Sequence, residues 1–445
     1  MNKFSLFIMM LCASLCPLGV YAQEVAWHIM SIEDMFALAD RNSKSLRPYA
    51  TGICEAREGV KIAGNARLPE IEAALSFSYL GDALLIDRNF SNGTNAPMPH
   101  LGNNFSVEAS QVVYAGGSIT NSIAIARLQE KMARLDLDAG RDKVRFLLIG
   151  YYLDLFKQQN MLQVYEKNIE QTKQVIEELR AKECEGIVLK NDITRYELLL
   201  ANLELTRTQI ENTISILNGN LTTTLGLPED ARIQPDTTIL SKALPIENKE
   251  NWTNTAYANS PVLKQMLLTV EMSKHQQKIT RSEQIPQIAL FAGNKLDGPI
   301  TIEVPPINKN LNYWYVGVGV KYNFSSLFKA SKSIARDKFT VRRNTEQYND
   351  AKEQTGLAVN AAQVKYMETY VELNTQQKSV ELANQNYAVI HDRYKNDMAL
   401  ITDMLDASNS KLEAELQLVN ARINIVLIFI NFCISPELSK INRHE

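Results

Sequence analysis

Apolar residues recur at every seventh position along two long stretches that contain no proline. In the first, Ser118 to Gly226, one series is Leu148, Leu155, Leu162, Ile169 and Ile176; after a break at Cys184–Asn191 a second is Tyr196, Leu203, Ile210 and Leu217. In the second stretch, Leu327 to Ile434, the series are Val359, Tyr366, Leu373, Val380, Tyr387 and Tyr394, then, past a break at Lys395–Leu400, Leu405, Leu412, Val419, Val426 and Cys433. This is coiled-coil spacing, so each stretch predicts a helical hairpin. The first arm, Ser118 to about Ala181, would run roughly 95 Å as one helix. An ordinary globular helix has only about 11–12 residues.

Four shorter segments alternate with period two instead. Ile71, Ala73, Leu75, Phe77 and Tyr79 share one face of a predicted strand over 71–80. Phe105, Val107 and Ala109 do so in a second, over 104–114. A third covers 288–295, and in the fourth, 313–323, Trp314, Val316, Val318, Val320 and Tyr322 lie together. Such alternation marks a strand with one apolar face. The segment 81–103, rich in Asn, Gly and Pro, reads as a polar loop. Ser31 with Asp34 three residues on is a capping-box-like helix start, and that helix is punctuated at Asn42-Ser43 and stops before Pro69. A further single helix is predicted from about Asn251 to Ser282.

The two halves align with each other. Asn42-Ser43 with Asn259-Ser260, Leu46 with Leu263, Pro69 with Pro286 and Ile71 with Ile288 share one offset of 217 residues; Asp192 and Asp403 are 211 apart, the difference falling in unequal loops. The order helix, two strands, helical hairpin is therefore expected twice, by internal duplication. The expected division is a signal peptide (1–22), repeat 1 (23–228, hairpin 118–226), a connector (229–250), repeat 2 (251–436, hairpin 327–434) and a tail (437–445).

The N-terminal run Phe4 to Val20 follows Lys3 and ends in Val20-Tyr21-Ala22, the pattern of a cleaved export signal. No small residue directly precedes Cys12 or Cys16, which argues against a lipoprotein signal. Cys54, Cys184 and Cys433, left after cleavage, make no disulfide framework. A net charge of −3 gives no basic footprint for nucleic acid. His28, His100, His275, His391 and His444 are scattered, and Gly317-Val318-Gly319 lies inside a strand rather than before a helix. No enzyme, cofactor or metal site is expected.

About nine residues per strand suits a transmembrane β-strand. The candidates for the lipid-facing side are Leu75, Phe77, Tyr79, Val107, Trp314, Val316, Val318 and Tyr322, with Tyr79, Trp314 and Tyr322 at strand ends where aromatic girdles lie. Open sheet edges are not tolerated in lipid, and four strands are too few to close a barrel. Identical chains can supply the rest; three would give about twelve strands. The physics of the sequence does not choose three over two or four. Two small soluble β-layers capping a coiled coil is the alternative.

Nearly the whole stretch from Trp27 to Leu438 resembles the TolC family of outer-membrane efflux proteins. The marks are Leu68-Pro69-Glu70-Ile71, Gln111-Val112-Val113-Tyr114-Ala115-Gly116-Gly117, Leu225-Gly226-Leu227-Pro228 and Asp403-Met404-Leu405-Asp406-Ala407, together with the duplication. The resemblance implies a mainly α fold with a small membrane sheet, trimerising into a 12-stranded β-barrel and an α-helical tunnel that reaches into the periplasm of a Gram-negative cell. It implies a homotrimer in outer-membrane lipid, with a periplasmic adaptor and an inner-membrane pump as partners. Asp403 and Asp406 would ring the periplasmic constriction; the plainer reading is an N-cap and a first-turn carboxylate. Tyr394 and Asp192 would form a clasp between hairpins; otherwise they are a seam residue and an N-cap. Ala399, Asn191 and Asp397 stand where the family has an arginine, a threonine and a turn glycine. Gly186, Ile187, Asp397 and Met398, in the hairpin turns, would face the adaptor. The expected function is the exit duct of a tripartite efflux or type I secretion system. The rival is a periplasmic coiled-coil adaptor, which would need no lipid-facing strands.

Overall fold

The computed structural model describes residues 27–236, 249–303, 306–396 and 398–434. The expected signal peptide, the middle of the connector, Asp397 and the tail lie outside the described residues. The first half forms β1 (Trp27–Met30), α1 (Ile32–Asn42), a 3-10 turn (Lys44–Leu46), α2 (Arg47–Asn65), β2 (Glu70–Tyr79), β3 (Ala83–Leu85), β4 (Thr94–Ala96), β5 (Leu101–Tyr114), α3 (Ser118–Cys184) and α4 (Lys190–Leu225). There follow β6 (Arg232–Pro235), α5 (Lys249–Asn259), α6 (Pro261–Ser282), β7 (Gln287–Gly298), β8 (Leu311–Lys321), α7 (Ser326–Lys395) and α8 (Ile401–Ile434). The fold is mainly helical, with α3 of 67 and α7 of 70 residues. No helix among the described residues is long and apolar enough to cross a membrane.

The chain divides into two compact units. The first gathers Met1–Ser43, Leu147–Ala243 and Glu372–Leu427. Its helices pack along the expected seams: Leu148, Leu155, Ile169, Ile176, Tyr196, Leu203 and Ile210 are all buried. In the first three turns of α8 the buried positions are Met404, Ala407 and Lys411, offset from the expected Leu405 and Leu412, which are only half-buried; Val426 farther on is buried as expected. Ser31 caps α1 as expected: its Oγ accepts from Asp34 N at 3.1 Å and donates to the Asp34 carboxylate at 2.7 Å. Gly226 ends α4 with φ +67°, a left-handed cap that glycine adopts without steric cost, and Leu227 N returns to Thr222 O at 2.9 Å.

Two strands in this unit have no counterpart in the sequence reading. β1 pairs in parallel with β6, which lies in the segment read as a connector. Four residues are too few to show alternation, and the pair joins positions about two hundred residues apart. Side chains hold this small sheet. Asn218 donates to Ala231 O at 2.7 Å and accepts from Ile233 N at 2.9 Å. The buried Tyr152 hydroxyl donates to Met30 O at 2.7 Å and accepts from Asp236 N at 2.8 Å.

The second unit gathers Lys44–Phe146, Leu244–Val371 and Ile428–Glu445. It contains a four-stranded antiparallel sheet in the order β2-β5-β7-β8. The register puts every apolar set on one face. Leu75 pairs with Phe105, Phe105 with Leu296, Val107 with Asn294, and Asn294 with Trp314. Glu72, Glu108, Lys295, Tyr315 and Gly317 fall on the other face. A bulge between Val112 and Tyr114 then pairs Tyr114 with Ile288, turning Tyr114 onto the apolar face that plain alternation would deny it. The segment expected as a polar loop carries a small hairpin, β3 with β4. The single helix expected over 251–282 is broken: Ser260 Oγ accepts from Leu263 N at 3.2 Å, and Pro261 starts α6 at a position where no N–H is needed.

Replacing Asn218 by Leu orphans two buried backbone groups and should lower stability by about 2–4 kcal/mol in thermal unfolding of the extracted protein. Burial pushes the Tyr152 hydroxyl up to about 12, above an ordinary value of about 10. Its contribution is therefore complete below pH about 10 and lost as the pH rises to about 12. Tyr152→Phe should be less stable at neutral pH and should show a shallower alkaline loss across that window.

Candidate functional site: hairpin turns and the exposed sheet

The two hairpin turns are built alike. At the end of α3, Gly186 has φ +77°, its N–H reaches Glu183 O at 2.9 Å, and Ile187 N reaches Lys182 O at 3.0 Å. At the end of α7, Met398 N reaches Arg393 O at 2.8 Å. Ile187, Leu189, Met398 and Leu400 are all exposed. Each turn therefore presents two large apolar side chains to its surroundings.

Asp403 does not occupy the N-cap position of α8. It stands three residues inside, and its carboxylate accepts from Leu400 N at 3.0 Å, the returning half of a capping box. Asp403 and Asp406 are exposed one turn apart, while Met404 and Ala407 between them are buried. Both carboxylates thus point away from the packing of the hairpins. Asp406 lines an open groove of about 370 Å³ with Arg195, Leu198, Asn202, Thr402 and Asn409. Asp192 lies in the first turn of α4, favoured there by the helix dipole.

Tyr394 packs beside an apolar cluster of Val175, Ile176, Leu179, Ile193, Tyr196 and Met404, and Lys182 Nζ lies 4.9 Å from its ring centre. This cluster joins α3, α4, α7 and α8. Tyr196 is fully buried, its hydroxyl has no hydrogen-bond partner, and burial pushes its pKa up. The surrounding ion pairs, Arg180 with Glu177 and Glu197 and Lys395 with Glu178, are solvent-exposed and worth little each.

In the sheet, Leu75, Phe77, Tyr79, Val107, Trp314, Val316 and Val318 share the apolar face and all are exposed, Tyr79 to 79% and Trp314 to 76%. Tyr322 lies one residue beyond β8 and packs edge-on against Phe324 at 4.8 Å. β2 and β8 are edge strands, each paired on one side only.

Residues 252–429 match the family model described as outer membrane efflux protein. The match covers 178 of the 445 residues, from within α5 to near the end of α8. No curated protein sequence matches the chain. Solved structures supply the rest at the level of fold. The outer membrane protein VceC of Vibrio cholerae is 14% identical, with a TM-score of 0.75 over 91% of this chain and 96% of its own. The CmeC outer membrane channel of Campylobacter jejuni is 14% identical, with a TM-score of 0.71 over 92% of this chain and 87% of its own. The MtrE outer membrane channel of Neisseria gonorrhoeae, in its open state, is 13% identical, with a TM-score of 0.71 over 91% of this chain and 88% of its own. The protein thus has the fold of outer-membrane channels over about nine-tenths of its length. Efflux channels are transporters rather than enzymes.

Beside the hairpin turns the chain has a buried polar layer that the sequence reading missed. Lys411 is 5% exposed. Its Nζ donates to Gln171 Oε1 at 2.9 Å and lies 4.6 Å from the Tyr387 ring centre. The buried Asn168 donates to Glu415 Oε2 at 3.1 Å, and Lys167 lies 3.9 Å from the same carboxylate. Burial holds the Lys411 pKa below its ordinary value, with Glu415 opposing and Lys167 adding to the shift. The available signal was the spacing Met404, Ala407, Lys411, which places Lys411 on the buried stripe rather than beside it.

Buried ion clusters are often no more stabilising than apolar residues of the same size. Lys411→Met should therefore melt at or above the parent temperature. Glu415→Met, which removes the carboxylate shared by Asn168 and Lys167 and the negative charge opposing the Lys411 shift, should cost about 3 kcal/mol. If thermal unfolding shows the reverse order, the layer does not carry the energetics described.

Proposed function

We propose that three copies of this protein form an exit duct in the outer membrane of a Gram-negative cell, with the helical hairpins in the periplasm. The observation that carries the reading is the sheet. One face is apolar across all four strands and exposed, the strands are 10 to 14 residues long, and both edges are open. A soluble monomer does not expose such a face. Lipid accepts the face but not the edges. Joining β8 of one copy to β2 of the next answers both, and three copies close a barrel of about twelve strands. Tyr79 at one end of the face and Tyr114 at the other suit the two aromatic girdles. An adaptor would leave this face in water, so the rival reading finds no support in the sheet.

The duct does no chemistry and takes its energy from an inner-membrane pump joined through a periplasmic adaptor. The exposed Ile187, Leu189, Met398 and Leu400 in the turns are the surface offered to the adaptor. Asp403 and Asp406, free of the hairpin packing, make two stacked carboxylate rings of about six groups around the axis, which attract cations and repel one another. Tyr394 and Asp192 contribute to holding the hairpin ends together.

The test is planar-bilayer recording of the detergent-extracted oligomer. Discrete conductance steps from a species three times the monomer mass support the duct; a monomer that neither enters membranes nor conducts refutes it. In the same recordings, replacing Asp403 and Asp406 together by Ala should raise conductance and weaken block by multivalent cations. Unchanged traces would remove both residues from the constriction.

A further inference from the structure

The polar face of the sheet carries an aromatic cluster that neither the fold nor the closure of the barrel requires. Phe291 pairs directly across from Gly317, and Gly293 directly across from Tyr315. Both rings lie over the glycine opposite. A Cβ at Gly317 would sit 2.5 Å from Phe291 Cζ, and a Cβ at Gly319 would sit 3.3 Å from Phe291 Cε1. A Cβ at Gly293 would sit 2.7 Å from both Cζ and Oη of Tyr315. Any other residue at 293 or 317 would push the ring up from the sheet. The glycines therefore let the rings lie down on the backbone, the arrangement by which an aromatic residue covers a glycine across a strand pair.

A ring laid against the sheet turns its other side outward, and Phe291 is exposed over 41% of its surface, as is Tyr313. The Phe291 and Tyr315 rings are 6.0 Å apart at their centres, and Tyr313 stands 6.4 Å from Tyr315. Charge surrounds them. Glu108 pairs with Lys295 and lies across from Gly293, which in turn lies across from Tyr315. Lys295 Nζ lies 6.0 Å from the Tyr315 ring centre. Glu72 stands directly across from Glu108 in the β2–β5 pair. Like charges opposite one another oppose strand pairing, and the single Lys295 ammonium leaves these three side chains with a net negative charge.

We propose that Phe291, Tyr313 and Tyr315, with Glu72 and Glu108, form a shelf on the polar face of the sheet that binds planar aromatic cations. The outward ring faces supply stacking and cation–π attraction, the carboxylates supply the charge preference, and Lys295 is a built-in competitor for the same ring and carboxylate. The inference rests on the duct reading, which turns this face into the lumen and repeats the shelf once per copy. It makes the barrel a weak sorting surface for cargo rather than a plain wall.

The test uses the intact detergent-extracted oligomer that has first been shown to conduct in bilayers, so failure of the duct reading is seen before any binding is measured. Ethidium is the planar cation and pyrene-1-sulfonate the planar anion, each followed by fluorescence anisotropy with detergent alone subtracted. The oligomer should bind ethidium in a salt-sensitive way and the anion far less. Tyr315→Ala should weaken ethidium binding about tenfold, the order of one lost stacking partner. Gly317→Val, which suits a strand but lifts Phe291, should also weaken it, whereas Lys295→Gln should strengthen it. Each variant is first checked for the heat-labile oligomer on gels. A conducting oligomer that binds both dyes alike, or assembled variants whose ethidium binding is all equal, would overturn the shelf while leaving the duct intact.

Discussion

A β-sheet with one apolar face and two unpaired edges has no stable place as a single chain. Water penalises the face and lipid penalises the edges, since a backbone N–H or C=O left without a partner in hydrocarbon costs several kcal/mol. Every other feature of the second unit is consistent with a sheet meant to be completed by copies of itself. The register aligns the apolar sets of all four strands on one side, and the Val112/Tyr114 bulge brings one more aromatic onto that side. On the remaining face the rings of Phe291 and Tyr315 lie over glycines.

The first unit meets a different constraint. Long helices in a bundle need a seam, and a seam made only of apolar residues fixes neither register nor angle. Here an apolar cluster around Leu179 and Tyr196 supplies the cohesion, and the layer around Lys411, Gln171, Asn168 and Glu415 adds directional hydrogen bonds between helices. The carboxylates of Asp403 and Asp406 are left outside this packing. Repulsion among carboxylates in an assembly would thus act on a hairpin end whose cohesion comes from other residues.

The parts legible in the sequence were those with a repeating period. Seven-residue spacing and period-two alternation gave the hairpins and the four strands to within a few residues, because each buries or exposes one continuous face. The parts that escaped depend on single residues or on distant pairings. β1 and β6 are too short to alternate and meet only because Asn218 and Tyr152 hold them. The bulge shifts the face of Tyr114 with one extra residue. Ser260-Pro261 carried a cap and a break, but the apolar run continuing through Val262 and Leu263 masked them. Lys411 was hidden by its charge: a lysine beside a leucine seam reads as solvated until its partners on another helix are seen. At the hairpin turns Asp403 was legible as a capping residue, but at the N-cap itself rather than, as found, inside the first turn accepting from Leu400 N.

The claim on which the rest stands is that the sheet lies in a bilayer with its apolar face outward. Single cysteines at positions 314 to 319 along β8, labelled in native outer membranes with a membrane-impermeant maleimide added from both sides of the membrane, test it directly. The account predicts alternation: Tyr315, Gly317 and Gly319 replaced by Cys react, and Trp314, Val316 and Val318 replaced by Cys do not. Uniform reactivity at all six positions would place both faces in water and contradict it.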